Sequence, residues 1–185
     1  MNVLKLDAAG TPQQWLDFDE AAYYVTQNKV AWSIGEPCIT LRGGTNAVSG
    51  RQSVLALPPI MAIRGDVFAS RNYRPLSCER PRLFKRDRMV CAYCAQTFRE
   101  TELTADHVIP ESRGGAWNWS NLVSACSSCN GLKADRTPEE AKMPLVYVPY
   151  TPNAHEGFLL DRRRILIDQM EFLVRGLPAH SRMRN

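Results

Sequence analysis

The chain has no long apolar run. Its longest apolar stretch, VLALPPIMAI, is interrupted by Pro58 and Pro59, whereas a membrane-spanning helix needs about 20 consecutive apolar residues. The N-terminus, MNVLKLDAAG, lacks the basic segment and following apolar segment of a secretory signal. We therefore expect a cytoplasmic protein without a membrane span.

A dominant charge sign is also lacking. The sequence has 23 Lys and Arg against 19 Asp and Glu, a net charge of +4, which is too small to identify a partner. Local basic runs are more informative, and they occur at 79–88, 162–164 and 175–185. Such runs suit contacts with phosphate, although a solvated helix face gives the same pattern. The sequence contains no repeat and no low-complexity segment.

The length of 185 residues and an apolar fraction of 44% are typical of a globular protein with a substantial core. Mixed periodicity predicts an α+β fold in three segments. These are a small α+β unit at 1–75, a cysteine-rich core at 76–145, and an extended segment with a packing helix at 146–185.

Turn and periodicity signals predict the elements in more detail. In the first segment we expect a helix that begins near Asp17 or Asp19, and a turn at 10–12. In the last segment we expect one helix at 158–177, followed by frayed residues. Strands are predicted at 3–7, 32–34, 39–41 and 53–64, and the last is expected to be broken or bulged at Pro58-Pro59.

Four of the six cysteines form two C-x-x-C pairs, Cys91/Cys94 and Cys126/Cys129. Each such turn delivers two sulfurs to one ion, and four thiolates complete a tetrahedral zinc shell with no position left for water. The pattern therefore predicts a structural zinc site. Two redox thiol pairs are the alternative, but neither pair has the βαβ context of a thioredoxin-like motif. The other two cysteines are predicted to be free thiols.

The two cysteine pairs bracket an Asp106-His107 dipeptide, and Asn130 directly follows Cys129. Mg²⁺ prefers oxygen ligands and keeps several waters, so Asp106 and Asn130 are candidate ligands of a second, open metal site. On an extended backbone His107 faces away from Asp106, and a neutral imidazole suits a general base. A lone histidine is more often structural or a zinc ligand, but the cysteines already fill the zinc shell.

These motifs resemble the HNH endonuclease family, the ββα-metal nucleases, in the form with a four-cysteine zinc knuckle. The family pattern is C-x-x-C, D-H-[IV]-x-P, N-[LV]-V and C-x-x-C-N-x-x-K. The chain has CAYC at 91–94, DHVIP at 106–110, NLV at 121–123 and CSSCNGLK at 126–133. All four elements occur in order, and together they span about a quarter of the chain.

The resemblance implies a role for each matching residue. His107 would be the general base, and Asp106 and Asn130 would hold one Mg²⁺ or Mn²⁺ ion. Asn121 would position the hairpin loop and help to orient His107. Family members hydrolyse a phosphodiester by in-line attack of an activated water, which leaves 5′-phosphate and 3′-hydroxyl ends. The expected substrate is DNA, most readily double-stranded.

Basic residues around these motifs are the expected nucleic-acid contacts: Lys85, Arg86, Arg88, Arg113, Lys133 and Arg136. A homodimer is one option for the assembly. The second hypothesis is a non-catalytic, zinc-stabilised nucleic-acid-binding module, which would have no need of the Asp106, His107 and Asn130 set. A zinc hydrolase or deaminase fits less well, because the zinc shell is closed and the H-x-E and P-C-x-x-C signature is missing.

Overall fold

The computed structural model describes residues 2–65, 76–161 and 164–184. Within these ranges it contains eight strands, in three small sheets, and five α-helices, so the predicted α+β class is confirmed. Contacts divide the chain into two compact units. Unit 1 comprises Met1–Arg74 and Arg162–Gly176, and unit 2 comprises Pro75–Asp161 and Leu177–Asn185. Among the described residues, no helix has the length and apolar character needed to cross a membrane.

Unit 1 is built on a four-stranded sheet of order β2-β1-β6-β3, in which β1 and β6 are parallel. The two central strands are buried at every position, which explains their nearly continuous apolar sequences. A separate hairpin, β4-β5, turns its apolar face toward the same core. The strands are β1 Val3–Leu6, β2 Pro12–Leu16, β3 Val30–Ile34, β4 Ile39–Thr45, β5 Gln52–Leu57 and β6 Ile60–Ile63.

The first helix, α1 (Phe18–Thr26), begins where the sequence predicts it. Asp17 Oδ1 accepts from the Glu20 amide at 2.9 Å, and Glu20 Oε2 accepts from the Asp17 amide at 3.0 Å. This reciprocal pair is a capping box, which satisfies two backbone donors at the helix start. Ala21 then packs into the core of unit 1.

Strand β2 was not expected from the sequence, because its run PQQWL has weak alternation and begins with proline. The structure explains how it forms. The carboxylate of Asp7 accepts hydrogen bonds from the amides of Ala9 and Thr11 at 3.0 and 2.8 Å. This tight turn reverses the chain, and Pro12 is tolerated because β2 lies at the sheet edge.

The single helix predicted at 158–177 is wrong. The structure has α4 (Ala154–Asp161) in unit 2 and α5 (Ile167–Arg175) in unit 1. Gln169 anchors α5, because its Nε2 donates to the carbonyls of Asn2 and Pro59, both at 2.8 Å. In the basic run 162–164, only Arg164 lies within the described residues.

Unit 2 contains a ββα arrangement. Strand β7 (Leu103–His107) pairs antiparallel with β8 (Leu122–Cys126), and α3 (Ser127–Lys133) follows β8 directly. His107 lies opposite Leu122 in this register. Helix α2 (Arg80–Arg86) contributes Leu83 and Phe84 to the core behind the hairpin.

Arg86 is fully buried and links α2 to β8. Its guanidinium pairs with Asp87 at 2.8 Å, and Asp87 in turn accepts from the amide and hydroxyl of Ser124 at 2.8 and 2.9 Å. The guanidinium also donates to the carbonyls of Trp119, Leu122 and Tyr150. A buried charge needs such complete pairing. Arg86 was expected to contact nucleic acid, but its side chain is instead paired within the core.

The frayed C-terminus predicted from the sequence is wrong for the residues that the structure describes. Ser181 is 8% exposed, and its hydroxyl donates to Glu156 Oε1 at 2.6 Å. Glu156 is fully buried and also accepts from the Tyr150 hydroxyl at 2.7 Å. Arg182 stacks on Tyr147, with 3.9 Å between its guanidinium carbon and the ring centroid. The hydrogen bond from Ser181 to the buried carboxylate of Glu156 thus holds the C-terminal segment against the rest of unit 2.

Candidate active site and metal centre

The two cysteine pairs converge on one point in unit 2. The Sγ atoms of Cys91, Cys94, Cys126 and Cys129 all lie within 4.8 Å of one another. Sulfurs bound to one zinc at about 2.3 Å would lie roughly 3.8 Å apart, so the cluster fits a single tetrahedral ion after small adjustments. The structure therefore supports a structural metal such as zinc rather than two separate redox pairs.

Local folding explains this convergence. The Ala92 amide donates to the Ser124 carbonyl at 2.8 Å, which fixes the first pair beside β8. Cys126 ends β8, and its sulfur accepts from the Cys129 amide at 3.4 Å at the start of α3. Burial raises the pKa of Cys91, but amide donors from neighbouring residues outweigh it and lower the pKa to about 7. This favours the thiolate at Cys91, whereas burial and the neighbouring cysteine sulfurs raise the pKa of Cys94 and Cys129.

Asp106, on β7, is only 5% exposed and has a partner on each carboxylate oxygen. Lys133 Nζ donates to Oδ1 at 3.0 Å, and the Tyr93 hydroxyl donates to Oδ2 at 2.5 Å. Burial and the hydrogen bond to Asp106 raise the pKa of Tyr93 well above its usual range. The phenol therefore stays protonated and acts as a donor to the carboxylate.

His107 ends β7 and is half-buried. Its ring makes an edge contact with Trp117, with centroids 5.5 Å apart. Among the described residues, no side-chain or backbone group forms a hydrogen bond with the imidazole. His107 and Asp106 line the same cavity, of about 230 Å³, although they are consecutive in the strand. Its walls also include Pro110, Glu111, Ser112, Lys133, Ala134 and Asp135.

Asn121 fixes the loop that follows His107. Its carbonyl accepts from the Val108 amide at 2.8 Å, and its Oδ1 accepts from the Ile109 amide at 2.9 Å. Its Nδ2 donates to the carbonyls of Ile109 and Ala116, both at 3.1 Å. The side chain is 8% exposed, so these hydrogen bonds are shielded from water. Through these hydrogen bonds, Asn121 fixes the position of the backbone that directly follows His107.

Asn130 lies in α3 beside the hairpin, and its Nδ2 donates to Thr104 Oγ1 at 2.9 Å. That bond orients the side-chain amide, and its Oδ1 accepts no hydrogen bond from any described residue. The carboxylate of Asp106 and the amide oxygen of Asn130 are the ligand types that suit a hard divalent cation. Asn130 is not among the cavity-lining residues, and Lys133 already pairs with Asp106.

The family comparison completes the assignment of this segment. Residues 91–146 match the sequence model of the HNH endonuclease family. The match begins at Cys91 and includes both cysteine pairs, Asp106 and His107, so the resemblance drawn from the sequence motifs is confirmed. No curated protein matches the chain. The HNH family is a nuclease family, which implies a nucleic-acid substrate.

Two of the expected nucleic-acid contacts in the HNH segment are engaged within the protein. Lys133 is 1% exposed and pairs with Asp106. Arg113 is exposed, but its guanidinium donates to both oxygens of Glu140 at 2.7 Å, and this pairing raises the pKa of Arg113. Arg113 is thus paired at the surface, whereas Lys133 is paired within the protein.

The other basic residues differ in their accessibility. Arg136 donates to the carbonyls of Leu132 and Lys133, at the end of α3. Lys85 is half-buried and donates to the Leu159 carbonyl. Arg88 is exposed, and its side chain has no hydrogen-bond partner among the described residues. Of the six expected contacts, Arg88 is thus the one whose side chain is exposed and forms no hydrogen bond within the part of the chain that the structure describes.

Two residues of the HNH segment have contacts that were not anticipated from the sequence. Tyr93 reaches Asp106, and Trp117 packs against His107. Tyr93 lies inside the first C-x-x-C turn, so its proximity to the hairpin follows from the metal cluster itself. Trp117 lies in the loop that Asn121 fixes, and nothing in its local sequence identifies its contact.

Gly115 is required by the loop geometry of the HNH segment. A Cβ at this position would lie 1.7 Å from the Ile109 carbonyl oxygen and 2.9 Å from Asn121 Nδ2. We therefore expect Gly115→Ala to lower the free energy of unfolding by about 1–3 kcal/mol, because the backbone must shift. Chemical denaturation would measure this loss.

Gly131→Ala is the matched control, since a Cβ at Gly131 would meet no atom within 4 Å apart from its own helix backbone and chain neighbours. This residue lies in α3, where alanine is favoured over glycine by about 1 kcal/mol, so the control should be neutral or stabilising. Equal stability of the two variants would show that Gly115 is not constrained by Ile109.

Proposed function

We propose that the chain is a metal-dependent endonuclease that hydrolyses phosphodiester bonds in DNA. The observation that carries the proposal is the cavity within the HNH segment. Both His107 and Asp106 line it, and the imidazole of His107 forms no hydrogen bond with any described residue. A non-catalytic binding module would have no use for this arrangement. We further propose that the four-cysteine cluster holds zinc.

His107 is the proposed general base. Its neutral imidazole would accept a proton from water, and the water oxygen would form a bond to phosphorus. The bond between phosphorus and the 3′-oxygen breaks, and the 3′-oxygen takes a proton from solvent. This balance gives the 5′-phosphate and 3′-hydroxyl ends that the family resemblance implies. General base catalysis of this type contributes about 10²- to 10⁴-fold to the rate.

Asp106 and Asn130 are the proposed ligands of one catalytic Mg²⁺ or Mn²⁺ ion. When bound, such an ion stabilises the negative charge that develops on the leaving oxygen. Asp106 comes from β7 and Asn130 from α3, so the ligand set depends on the packing of the helix against the hairpin. The cysteine cluster supports that packing, because Cys126 and Cys129 lie at the start of α3. Asn121 holds the loop beside His107.

Double-stranded DNA is the proposed substrate. Arg88 and Arg113 are exposed in unit 2, and contacts from such residues to phosphates depend little on base sequence. The proposal includes a cytoplasmic location. It requires no particular assembly, and a homodimer is compatible with it. The single observation needed for the chemistry is cleavage that depends on a divalent cation.

The direct test uses zinc-loaded protein and supercoiled plasmid with Mg²⁺, Mn²⁺ or EDTA. We expect nicked or linear DNA with either metal and intact plasmid with EDTA. The cut ends should be substrates for DNA ligase, which requires a 5′-phosphate beside a 3′-hydroxyl. Binding of DNA without cleavage of plasmid, single-stranded DNA or RNA would instead support the non-catalytic nucleic-acid-binding module.

A further inference from the structure

Lys133 occupies an unusual position for a lysine. Its side chain is 1% exposed, and its ammonium lies 3.0 Å from the carboxylate of Asp106, which is 6% exposed. Lysine is almost never fully buried unless it is paired. A weaker contact to the Ala134 carbonyl, at 3.5 Å, is its other hydrogen bond. The pair with Asp106 is thus the main compensation for taking this charge out of water.

This pairing affects the proposed catalytic site, because Asp106 is the one carboxylate among the proposed metal ligands, Asp106 and Asn130. Lys133 donates to Oδ1 of Asp106, and the neutral Tyr93 hydroxyl donates to Oδ2. The ion pair of Lys133 and Asp106 therefore has no net charge. A divalent cation approaching Asp106 therefore meets an ammonium of like charge. In a poorly solvated site that repulsion is much stronger than in bulk water.

We propose that Lys133 competes with the catalytic cation for Asp106. Its ammonium, which donates to Oδ1 of Asp106, has to leave before this oxygen can become a metal ligand. This inference rests on the proposed function, since it takes Asp106 as a ligand of the ion. Lys133 thereby sets the concentration of divalent cation that the site requires.

The cavity gives the displaced ammonium room to move. Lys133 and Asp106 both line this space of about 230 Å³, and so do Glu111 and Asp135. These two carboxylates are exposed residues, so they can accept the ammonium near solvent. The four-carbon stem of lysine is flexible enough for such a change. Release from Asp106 thus exchanges a buried ion pair for a solvated one.

The test is a calorimetric titration with Mn²⁺ alone, in zinc-loaded protein without DNA. We expect Lys133→Met to lower the Kd for Mn²⁺ roughly tenfold or more, because removal of one partner leaves the buried Asp106 charge uncompensated. Lys29→Met is the control, since it changes the net charge equally at an exposed residue of unit 1. It should leave the Kd within about twofold of the original.

Stability measurements keep the test decisive if the metal-free variants are poorly folded. Lys133→Gln retains a neutral donor, and we expect the same direction of change for it. Mn²⁺ should raise the melting temperature of both Lys133 variants more than that of the unaltered protein, because binding to the folded state stabilises it. If neither variant folds alone, Mn²⁺ should restore folding. Failure to restore it would overturn the proposal.

An unchanged or weaker Mn²⁺ affinity in folded Lys133→Met would also overturn the proposal. Asp106→Asn separates that result from failure of the proposed function. Mn²⁺ binding that is lost in Asp106→Asn but insensitive to Lys133 would refute only the competition. Mn²⁺ binding that is insensitive to both substitutions, or absent from every variant, would refute the proposed catalytic metal site as well.

Discussion

His107→Ala is expected to lower the rate of DNA cleavage by about 10²- to 10⁴-fold, the usual contribution of a general base. The imidazole lines the same cavity as Asp106. Its nitrogens form no hydrogen bond with any described residue. Alanine removes the proton acceptor without adding bulk. Single-turnover cleavage of plasmid with saturating Mn²⁺ would measure the chemical step, and a separate binding assay should show unchanged affinity for DNA.

His180→Ala is the matched control for this prediction. His180 is exposed, and its ring makes an edge contact with Tyr150, with centroids 5.1 Å apart. Loss of that contact should change stability little and leave cleavage at its original rate. Equal rates for His107→Ala and the unaltered protein would remove His107 from the chemistry. Loss of DNA binding in His107→Ala would instead indicate a role in the substrate interface.

Rules that act over a few residues predicted much of the fold. The helix start expected near Asp17 or Asp19 is confirmed at α1, and Pro58-Pro59 marks the break between β5 and β6. Both signals depend on backbone groups within three or four positions, so the sequence contains all the required information. The cysteine cluster follows the same logic, because each C-x-x-C turn fixes two sulfurs locally.

Burial of charged residues could not be predicted in this way. Arg86 lies in the basic run 79–88 and Lys133 in the motif at 126–133. Both were expected to contact nucleic acid, yet both are at most 1% exposed. Their partners come from distant segments, with Trp119 contacting Arg86 and Asp106 contacting Lys133. Whether a cation faces solvent or a buried acceptor depends on tertiary packing, which a charge count does not contain.

The divided C-terminal helix has a similar explanation. The apolar pattern at 158–177 is continuous enough for one amphipathic helix, but its two parts pack into different units. Leu159 and Leu160 are buried in unit 2, whereas Leu173 is buried in unit 1. Periodicity alone predicts that a face is apolar, and it does not identify the core that covers this face.

The second large effect is expected for Cys126→Ser, which should abolish metal binding by the cysteine cluster. Cys126 is 7% exposed and is the N-cap residue of α3. Serine is a favourable N-cap residue, so the substitution preserves capping while removing the thiolate ligand. Any loss of structure then reports on the metal rather than on the helix start.

The energetic consequence should be large. Structural zinc contributes about 10–16 kcal/mol of apparent binding free energy in zinc-finger peptides, whereas a whole domain is stable by only about 5–15 kcal/mol. We therefore expect Cys126→Ser to lose zinc and to unfold α3 together with the β7-β8 hairpin. Zinc release to a chromophoric chelator would give the metal content, and amide hydrogen exchange would show loss of protection in these elements.

Cys38→Ser is the matched control, because Cys38 lies in unit 1 and is not part of the cysteine cluster. It should retain zinc and the protection of α3. A folded Cys126→Ser protein with full zinc content would place the metal elsewhere. If the unaltered protein contains disulfides and no zinc, the two C-x-x-C pairs would instead be redox thiol pairs. Because α3 carries both Asn130 and Lys133, loss of zinc should also remove Mn²⁺ binding at Asp106, which would couple the structural metal to the proposed catalytic one.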